Sequence, residues 1–246
     1  MKILVCISKT PDTTTKIAFT DNNTKFNSDK VQYIINPYDE WYALVRALEL
    51  KETKTGTVTI LNVGAADNDA IIRKGLALGA DDAVRIDAEP TDAYFVADQI
   101  AHYAKENAFD LILVGKETID YNGSEVGGMV AALLDVPFVS LATHLDVEGD
   151  TATAKREIIG GEEVVEVKLP AVISSQKGMA EARIPNMRGI MAARTKPLKV
   201  VPAYPSETLT KVVSYILPPQ KSGVKLVDPE HPEELVRLLH DEAKII

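Results

Sequence analysis

The chain has 246 residues, of which 46% are apolar and 26% charged, and its formal net charge is −9. That is ordinary globular composition for one large domain, or one domain with an appendage, and it excludes a disordered chain, a collagen and a coiled coil. The acidic balance repels phosphate backbones, so nucleic acid is not an expected partner.

Lys2 to Ile7 (KILVCI) is a continuous apolar run, the pattern of a strand buried on both faces. Residues 8–38 show no clear period, and a hairpin is expected around Asp21-Asn22-Asn23. Asp39 to Lys51 reads as a helix, with Trp41, Leu44, Val45 and Leu48 on one face and Asp39 and Glu40 at the positive end of its dipole. Thr57 to Val63 is a second strand. Asp67 is expected to cap a helix through Ala77 that Gly79 stops. Ala83 to Ile86 is a third strand, and Thr91 is expected to cap a helix from Asp92 to Glu106. Asp110 to Gly115 is a fourth strand, Gly123-Ser124 opens a helix through Leu134, and Pro137 to Leu141 is a fifth strand. Strands alternating with helices of this length mean βαβ units and a parallel sheet with right-handed crossovers.

After Ala142 the grammar changes. His144 to Val147, Thr151 to Ile158, Glu163 to Lys168 and Ala171 to Ser174 read as consecutive strands, with Gly149-Asp150 and Gly160-Gly161 at turns between them. From Met179 the chain is loop-like and then basic, with Arg183, Arg188, Arg194, Lys196 and Lys199. Residues 197–225 carry Pro197, Pro202, Pro205, Pro218 and Pro219, which suits an extended arm. Asp228 to Lys244 is a final amphipathic helix.

The chain contains neither GxGxxG nor GxxxxGK[ST], which disfavours an ordinary NAD-binding protein and a P-loop NTPase. The run from Gly115 to Gly128 is more informative. It leaves the carboxyl end of a central strand and enters a helix at Gly123-Ser124, where free N–H groups suit a phosphate; the plainer alternative is a polar loop with Ser124 as an ordinary cap. Asn36-Pro37-Tyr38-Asp39 is either a capping turn or a wall of the same crevice. The basic stretch is either a solvated face or, with Ile184, Met187, Ile190 and Met191 interleaved, an interface anchor. No serine stands in a nucleophile elbow, and no paired-carboxylate signature is present. One cysteine, Cys6, permits no internal disulfide and no cysteine metal cluster. The scattered histidines, His102, His144, His231 and His240, make a metal site an unexpected feature. No run reaches the ~18 apolar residues of a membrane span, and the first run falls short of the ~7–15 residues of a signal-peptide core. A reducing compartment is expected, most simply a cytoplasm.

Taken together, the chain resembles the small (β) subunit of an electron-transfer flavoprotein over nearly its whole length. The resemblance rests on Asn36-Pro37-Tyr38-Asp39, Ala77-Leu78-Gly79-Ala80-Asp81, Leu113-Val114-Gly115-Lys116-Glu117-Thr118-Ile119-Asp120, Lys155-Arg156-Glu157-Ile158-Ile159-Gly160-Gly161, Leu169-Pro170-Ala171-Val172, and Gly189-Ile190-Met191-Ala192-Ala193-Arg194 before Lys196-Pro197. It implies a heterodimer with a larger α subunit that supplies most of an FAD site. It implies electron passage from flavin-dependent dehydrogenases toward a quinone oxidoreductase at the membrane, with this chain an electron carrier component and not an enzyme. It also implies an AMP, without redox role, buried in this subunit. By the resemblance, AMP contacts fall on Cys6, Asn36, Pro37, Tyr38, Asp39, Val63, Gly115, Lys116, Glu117, Thr118, Ile119, Asp120, Tyr121, Asn122, Gly123, Ser124, Glu125 and Val126. Thr13 and Tyr38 match positions near the flavin ring, although some relatives carry an aromatic residue in place of Thr13. Glu157 matches an acidic residue that pairs with the partner's mobile flavin domain. Ile184 to Arg194 matches a recognition loop for dehydrogenases, with Met187, Arg188, Ile190 and Met191 as docking residues; Met187-Arg188 stands where the usual pattern is leucine-proline.

The expected fold is therefore α/β: a doubly wound, mainly parallel, Rossmann-like sheet of order near 3-2-1-4-5, with an antiparallel extension and an extended C-terminal arm ending in a helix. The expected division is a nucleotide-binding domain over 1–182, a recognition loop over 183–196, and an arm over 197–246 that packs on the partner subunit. The protein would be cytoplasmic, or in the mitochondrial matrix if eukaryotic, though no transit peptide is seen. Three other readings are weighed against this one. A bifurcating relative would hold a second FAD in place of AMP. A universal-stress-type nucleotide-binding protein would need neither the basic loop nor the arm. An ATP pyrophosphatase would want an SGGxDS-like loop after the first strand.

Overall fold

Ile3 and Val5 of the first strand, β1 (Lys2–Cys6), point into one hydrophobic cluster, while Leu4 and Cys6 point into another. That two-residue alternation, with apolar side chains on both sides, is what a central parallel strand requires. A computed structural model describes residues 1–220 and 223–246; Lys221 and Ser222, within the stretch read as an arm, lie outside the described residues. After β1 come β2 (Lys9–Pro11), β3 (Phe19–Thr20), β4 (Lys25–Phe26), β5 (Tyr33–Ile35), α1 (Asp39–Lys54) and β6 (Thr57–Val63). Then follow α2 (Asp69–Leu78), β7 (Asp82–Asp87), α3 (Ala93–Asn107), β8 (Leu111–Gly115), α4 (Val126–Leu134) and β9 (Phe138–Glu148). The chain ends with β10 (Thr151–Ile158), β11 (Gly161–Lys168), β12 (Ala171–Ser175), α5 (Met187–Ala193), β13 (Leu198–Pro202) and α6 (Pro232–Arg237), which continues as a π-helical turn over Leu238–Ala243.

The main sheet has nine strands in the order β11-β10-β9-β12-β8-β1-β6-β7-β13. Leu44, Leu48, Ile71, Ile72 and Leu76 of α1 and α2 pack on one face, and Ala97, Ile100, Tyr103, Val130 and Ala131 of α3 and α4 pack on the other. The sheet is doubly wound, as expected. The order 3-2-1-4 is found as β7-β6-β1-β8, but β12 stands between the fourth strand and the fifth, β9. The reason lies in burial. All five residues of β12 are buried, so it belongs inside the sheet, whereas β9 alternates buried and exposed positions and suits an outer place. The separate strands expected over Pro137–Leu141 and His144–Val147 are one strand. The expected antiparallel extension is the ribbon β10-β11 on β9. The first residues of the proline-rich stretch form β13, a parallel edge strand on β7, with Pro202 at its end where a missing donor costs least.

Several boundaries move for local reasons. Asp92, not Thr91, caps α3 by accepting from the Phe95 N–H at 2.7 Å. Asp67 sits in a 3-10 turn ahead of α2 and instead meets Lys9 Nζ at 2.5 Å. The hairpin at Asp21-Asn22-Asn23 is present as β3-β4, all three residues having positive φ.

The stretch expected to be a recognition loop contains a helix, α5. Asn186 caps it, accepting from the Gly189 N–H at 2.8 Å. The helix lies on the C-terminal end of α2, and the two ends share their orphan carbonyls among cations. Arg73 donates to Ala193 O and Lys196 O, and Lys196 Nζ donates to Leu76 O at 3.0 Å and also to Ala80 O. A Cβ on Gly189 would lie 2.3 Å from Ala77 O. Gly189→Ala is therefore expected to lift α5 from α2 at a cost of about 1–3 kcal/mol. Trypsin should then cut faster at Arg188 and Arg194 while the central sheet keeps its far-UV signature; unchanged cleavage would show that α5 does not depend on this close approach.

Candidate functional site

Cys6, Val63 and Gly115 end β1, β6 and β8 on the same edge of the sheet. From β1 the chain passes, after its long excursion, to α1 on one face; from β8 it passes to α4 on the other. β1 and β8 are neighbours, so a crevice opens between their carboxyl ends, the place where ligands sit in open parallel sheets.

Buried Asn36 ties the two sides of this crevice together. Its N–H donates to Ser8 O at 3.2 Å, its Nδ2 donates to Glu117 O at 2.8 Å, and its Oδ1 accepts from the Ile119 N–H at 3.1 Å. Pro37 leads into Tyr38, whose φ of 66° is unusual for a bulky residue and turns an exposed ring outward ahead of α1. Asp39 and Glu40 in the first turn of α1 are buried. Glu40 accepts from Ser8 N at 2.6 Å and from Ser8 Oγ at 2.7 Å, and a Cβ on Gly115 would lie 2.7 Å from its Cγ. Thus a glycine ends β8 because α1 passes too close for anything larger.

Desolvation pushes Glu40 up to about 8, with the two Ser8 hydrogen bonds opposing it. Asp39 is pushed up to about 6 by desolvation, opposed by Lys116. Burial raises the Cys6 thiol far above its ordinary range, so it stays protonated and is no nucleophile. Burial works against the charge of Glu117, but Lys116, at 3.1 Å, and the Ser124 hydroxyl, at 3.2 Å, hold its carboxyl below the usual range.

Ser124 is not the cap of α4. Its φ is 55°, its hydroxyl is turned to Glu117, and the helix starts at Val126 without a side-chain cap. The backbone N–H groups from Gly123 through Gly128 find no acceptor among the described residues. The Ser175 hydroxyl, fully buried beside Gly115 at the end of β12, also has no partner among the described residues. Unpaired donors at an uncapped helix head, with an orphan hydroxyl on the same sheet edge, fit a bound phosphate ester. Near neutral pH the protonation of Glu40 reduces the negative charge facing it.

A cavity of about 330 Å³ opens here, lined by Tyr38, Asp39, Lys116, Glu117, Ile119, Gln176 and Lys177. Next to it, sharing Gln176 and Lys177, lies one of about 550 Å³ that reaches Tyr42, Glu181 and Glu157. Thr13 is not brought to Tyr38. It sits on an exposed turn beyond the Tyr33 end of the β2-β5 ribbon, while Tyr38 lies beyond the Ile35 end. In the basic stretch, Met187 and Met191 are 72% and 56% exposed, Arg188 is exposed, and Ile190 is 41% exposed. Arg183 and Lys196 are not available for docking: the first is paired with Glu52 at 2.7 Å, and the second is bound by α2 carbonyls. Sequence reading took Glu40 only as an acid at a helix start and passed over Ser8, Ser175 and Gln176; nothing in their local pattern marks a place at the crevice.

Residues 24–206 match the family described as Electron transfer flavoprotein domain. This chain belongs to the electron transfer flavoprotein family, among its β subunits. It is 37% identical to the electron transfer flavoprotein subunit beta of Bacillus subtilis (strain 168), with 100% of each chain covered. It is 39% identical to that of Syntrophomonas wolfei subsp. wolfei over 93% of this chain and 90% of the relative, and 33% identical to that of Homo sapiens over 100% and 99%. Membership of this family makes the chain a component of an electron carrier. Among the described residues, no helix is long and apolar enough to cross a membrane.

The raised Glu40 makes stability depend on pH. A carboxyl whose folded value lies above its unfolded value stabilises fully below the unfolded value, about 4.5, and loses that contribution as pH rises to about 8. Denaturant titrations between pH 5 and 8.5 should show wild type losing stability relative to Glu40→Gln, which keeps the Ser8 contacts without a charge. Parallel curves for the two proteins would mean that Glu40 does not take up a proton on folding.

Proposed function

We propose that this chain is the β subunit of a heterodimeric electron-transfer flavoprotein that holds an AMP structurally in the crevice between β1 and β8. The observation that carries the nucleotide assignment is the set of unpaired N–H groups at the uncapped head of α4, beside the β8 end and the orphan Ser175 hydroxyl. Asn36 fixes the loop from Gly115 to Val126 around that head, and Lys116 and Lys177 supply cations to the small cavity.

The FAD belongs mainly to an α subunit, and when bound it supplies the redox chemistry. On this side, the exposed Tyr38 ring and Glu157, at the far end of the neighbouring cavity, face the partner. The exposed Met187, Ile190 and Met191, with Arg188 beside them, dock flavin-dependent dehydrogenases, and electrons pass on toward a quinone oxidoreductase at the membrane. Methionine fills irregular apolar pockets readily, which suits an anchor for more than one partner. The protein works in a cytoplasm, or in the mitochondrial matrix of a eukaryote.

Denaturing release from the purified complex should yield one FAD and one AMP per heterodimer, and the isolated chain should be colourless. Two FAD and no AMP would replace this reading with a bifurcating one. Met187→Ala should weaken dehydrogenase docking by about 1–3 kcal/mol, roughly 5- to 150-fold in affinity, measured as electron transfer at sub-saturating dehydrogenase. Flavin and AMP content should not change; wild-type rates, or loss of FAD, would remove Met187 from docking.

A further inference from the structure

Two features mark the crevice for a ligand: the unpaired N–H groups at the head of α4, and the fully buried Ser175 hydroxyl, which has no partner among the described residues. The run from Gly115 to Gly128 that leads into this head carries three carboxylates, Glu117, Asp120 and Glu125, and a single cation, Lys116. That cation is not free. Its Nζ lies 3.1 Å from Glu117 Oε1, and the other carboxyl oxygen of Glu117 accepts from the Ser124 hydroxyl at 3.2 Å. One side chain therefore joins the loop lysine to the head of α4.

The backbone holds Glu117 in that place. Asn36 binds Glu117 O and the Ile119 N–H. The Asn122 N–H donates to Thr118 O at 2.9 Å, so the loop turns back on itself and brings Ser124 to Glu117. The Glu117 carboxylate leaves the head of α4 only by giving up Lys116 and Ser124 together.

The Ser124 N–H is one of the unpaired donors. An oxyanion bound to it lies within roughly 9 Å of the Glu117 carboxylate, the reach of three hydrogen-bond-length steps. That is close to one screening length at physiological salt, so the repulsion is felt. For a first phosphate the helix head offsets it, because several N–H groups and the helix dipole act together. A second phosphate has fewer of those donors, adds to the repulsion from the three carboxylates, and finds the loop lysine already paired. Loops that carry polyphosphates are built the opposite way, with a lysine left free to reach the β- and γ-phosphates.

We infer that Glu117 is a specificity-determining residue of the crevice, limiting its ligand to a nucleoside monophosphate by placing charge beside the phosphate and by occupying Lys116. The inference rests on the nucleotide reading above and deepens it. The same limit disfavours the pyrophosphate of a dinucleotide.

The test uses the full chain, freed of bound nucleotide, with AMP and ADP as probes and no divalent metal. Wild type is expected to bind AMP about 10- to 50-fold more tightly than ADP. Glu117→Gln keeps the size of the side chain, removes its charge and frees Lys116, so the preference should fall to about 3-fold or less. Glu125→Gln removes an exposed carboxylate of the same run that pairs with neither Lys116 nor Ser124, and should keep the wild-type preference. Raising salt from about 0.05 to 0.5 M should narrow the preference of wild type, a readout that needs no variant and that a steric limit would not give. Equal binding of AMP and ADP by wild type, a preference that ignores salt, no change in Glu117→Gln, or an equal change in Glu125→Gln would each overturn the role of Glu117 while the nucleotide reading stands. If wild type binds neither probe, the nucleotide reading falls and this role falls with it.

Discussion

The crevice depends on one buried amide. Asn36 lies where the long excursion after β1 returns to the sheet, and its side chain reaches two backbone groups of the loop that follows β8. A buried amide left without partners costs on the order of 1–3 kcal/mol, so the loop is held in the conformation that satisfies it. That conformation fixes Lys116 and Glu117 at the cavity, turns Ser124 into positive φ, and leaves the head of α4 without a side-chain cap. In most helices such a head is closed by its own chain. Here its donors stay unpaired among the described residues, the condition for holding an anion.

The same edge of the sheet concentrates carboxyls, which would oppose that anion. Burial resolves the conflict. Asp39 and Glu40 sit in the first turn of α1, against Gly115, and desolvation favours their neutral forms. Glu117 keeps its charge but spends it on Lys116 and Ser124 inside the loop. An acidic chain of net charge −9 thereby presents a crevice less negative than its residue count suggests.

Away from the crevice, the basic stretch divides into structure and surface. Arg183 and Lys196 bind α1 and α2 and set the position of α5, while the methionines stay outside. The result is a helix fixed on α2 that carries exposed, flexible apolar side chains. The arm follows the opposite logic. Its apolar residues are exposed and its ties to the body are few.

The fold class, the strand-helix alternation, the hairpin at Asp21-Asn22-Asn23 and the family were legible in the sequence, because two-residue burial patterns, turn chemistry and ordered short motifs are local. The order of four central strands followed from the same alternation. The place of β12 did not, since which strand fills a slot depends on burial across the whole sheet, not on neighbours in the chain. Nor could the sequence show that α5 is a helix: its stability comes from Arg73, Lys196 and the close pass of Gly189 over Ala77, contacts more than a hundred residues apart. The Gly115 to Val126 loop could be named from the chain alone, but its donors, its uncapped helix and the buried acids beside it exist only once Asn36, Ser8 and α1 are packed against it. Local pattern determined which elements form; long-range packing decided which polar groups were left without partners, and those groups make the site.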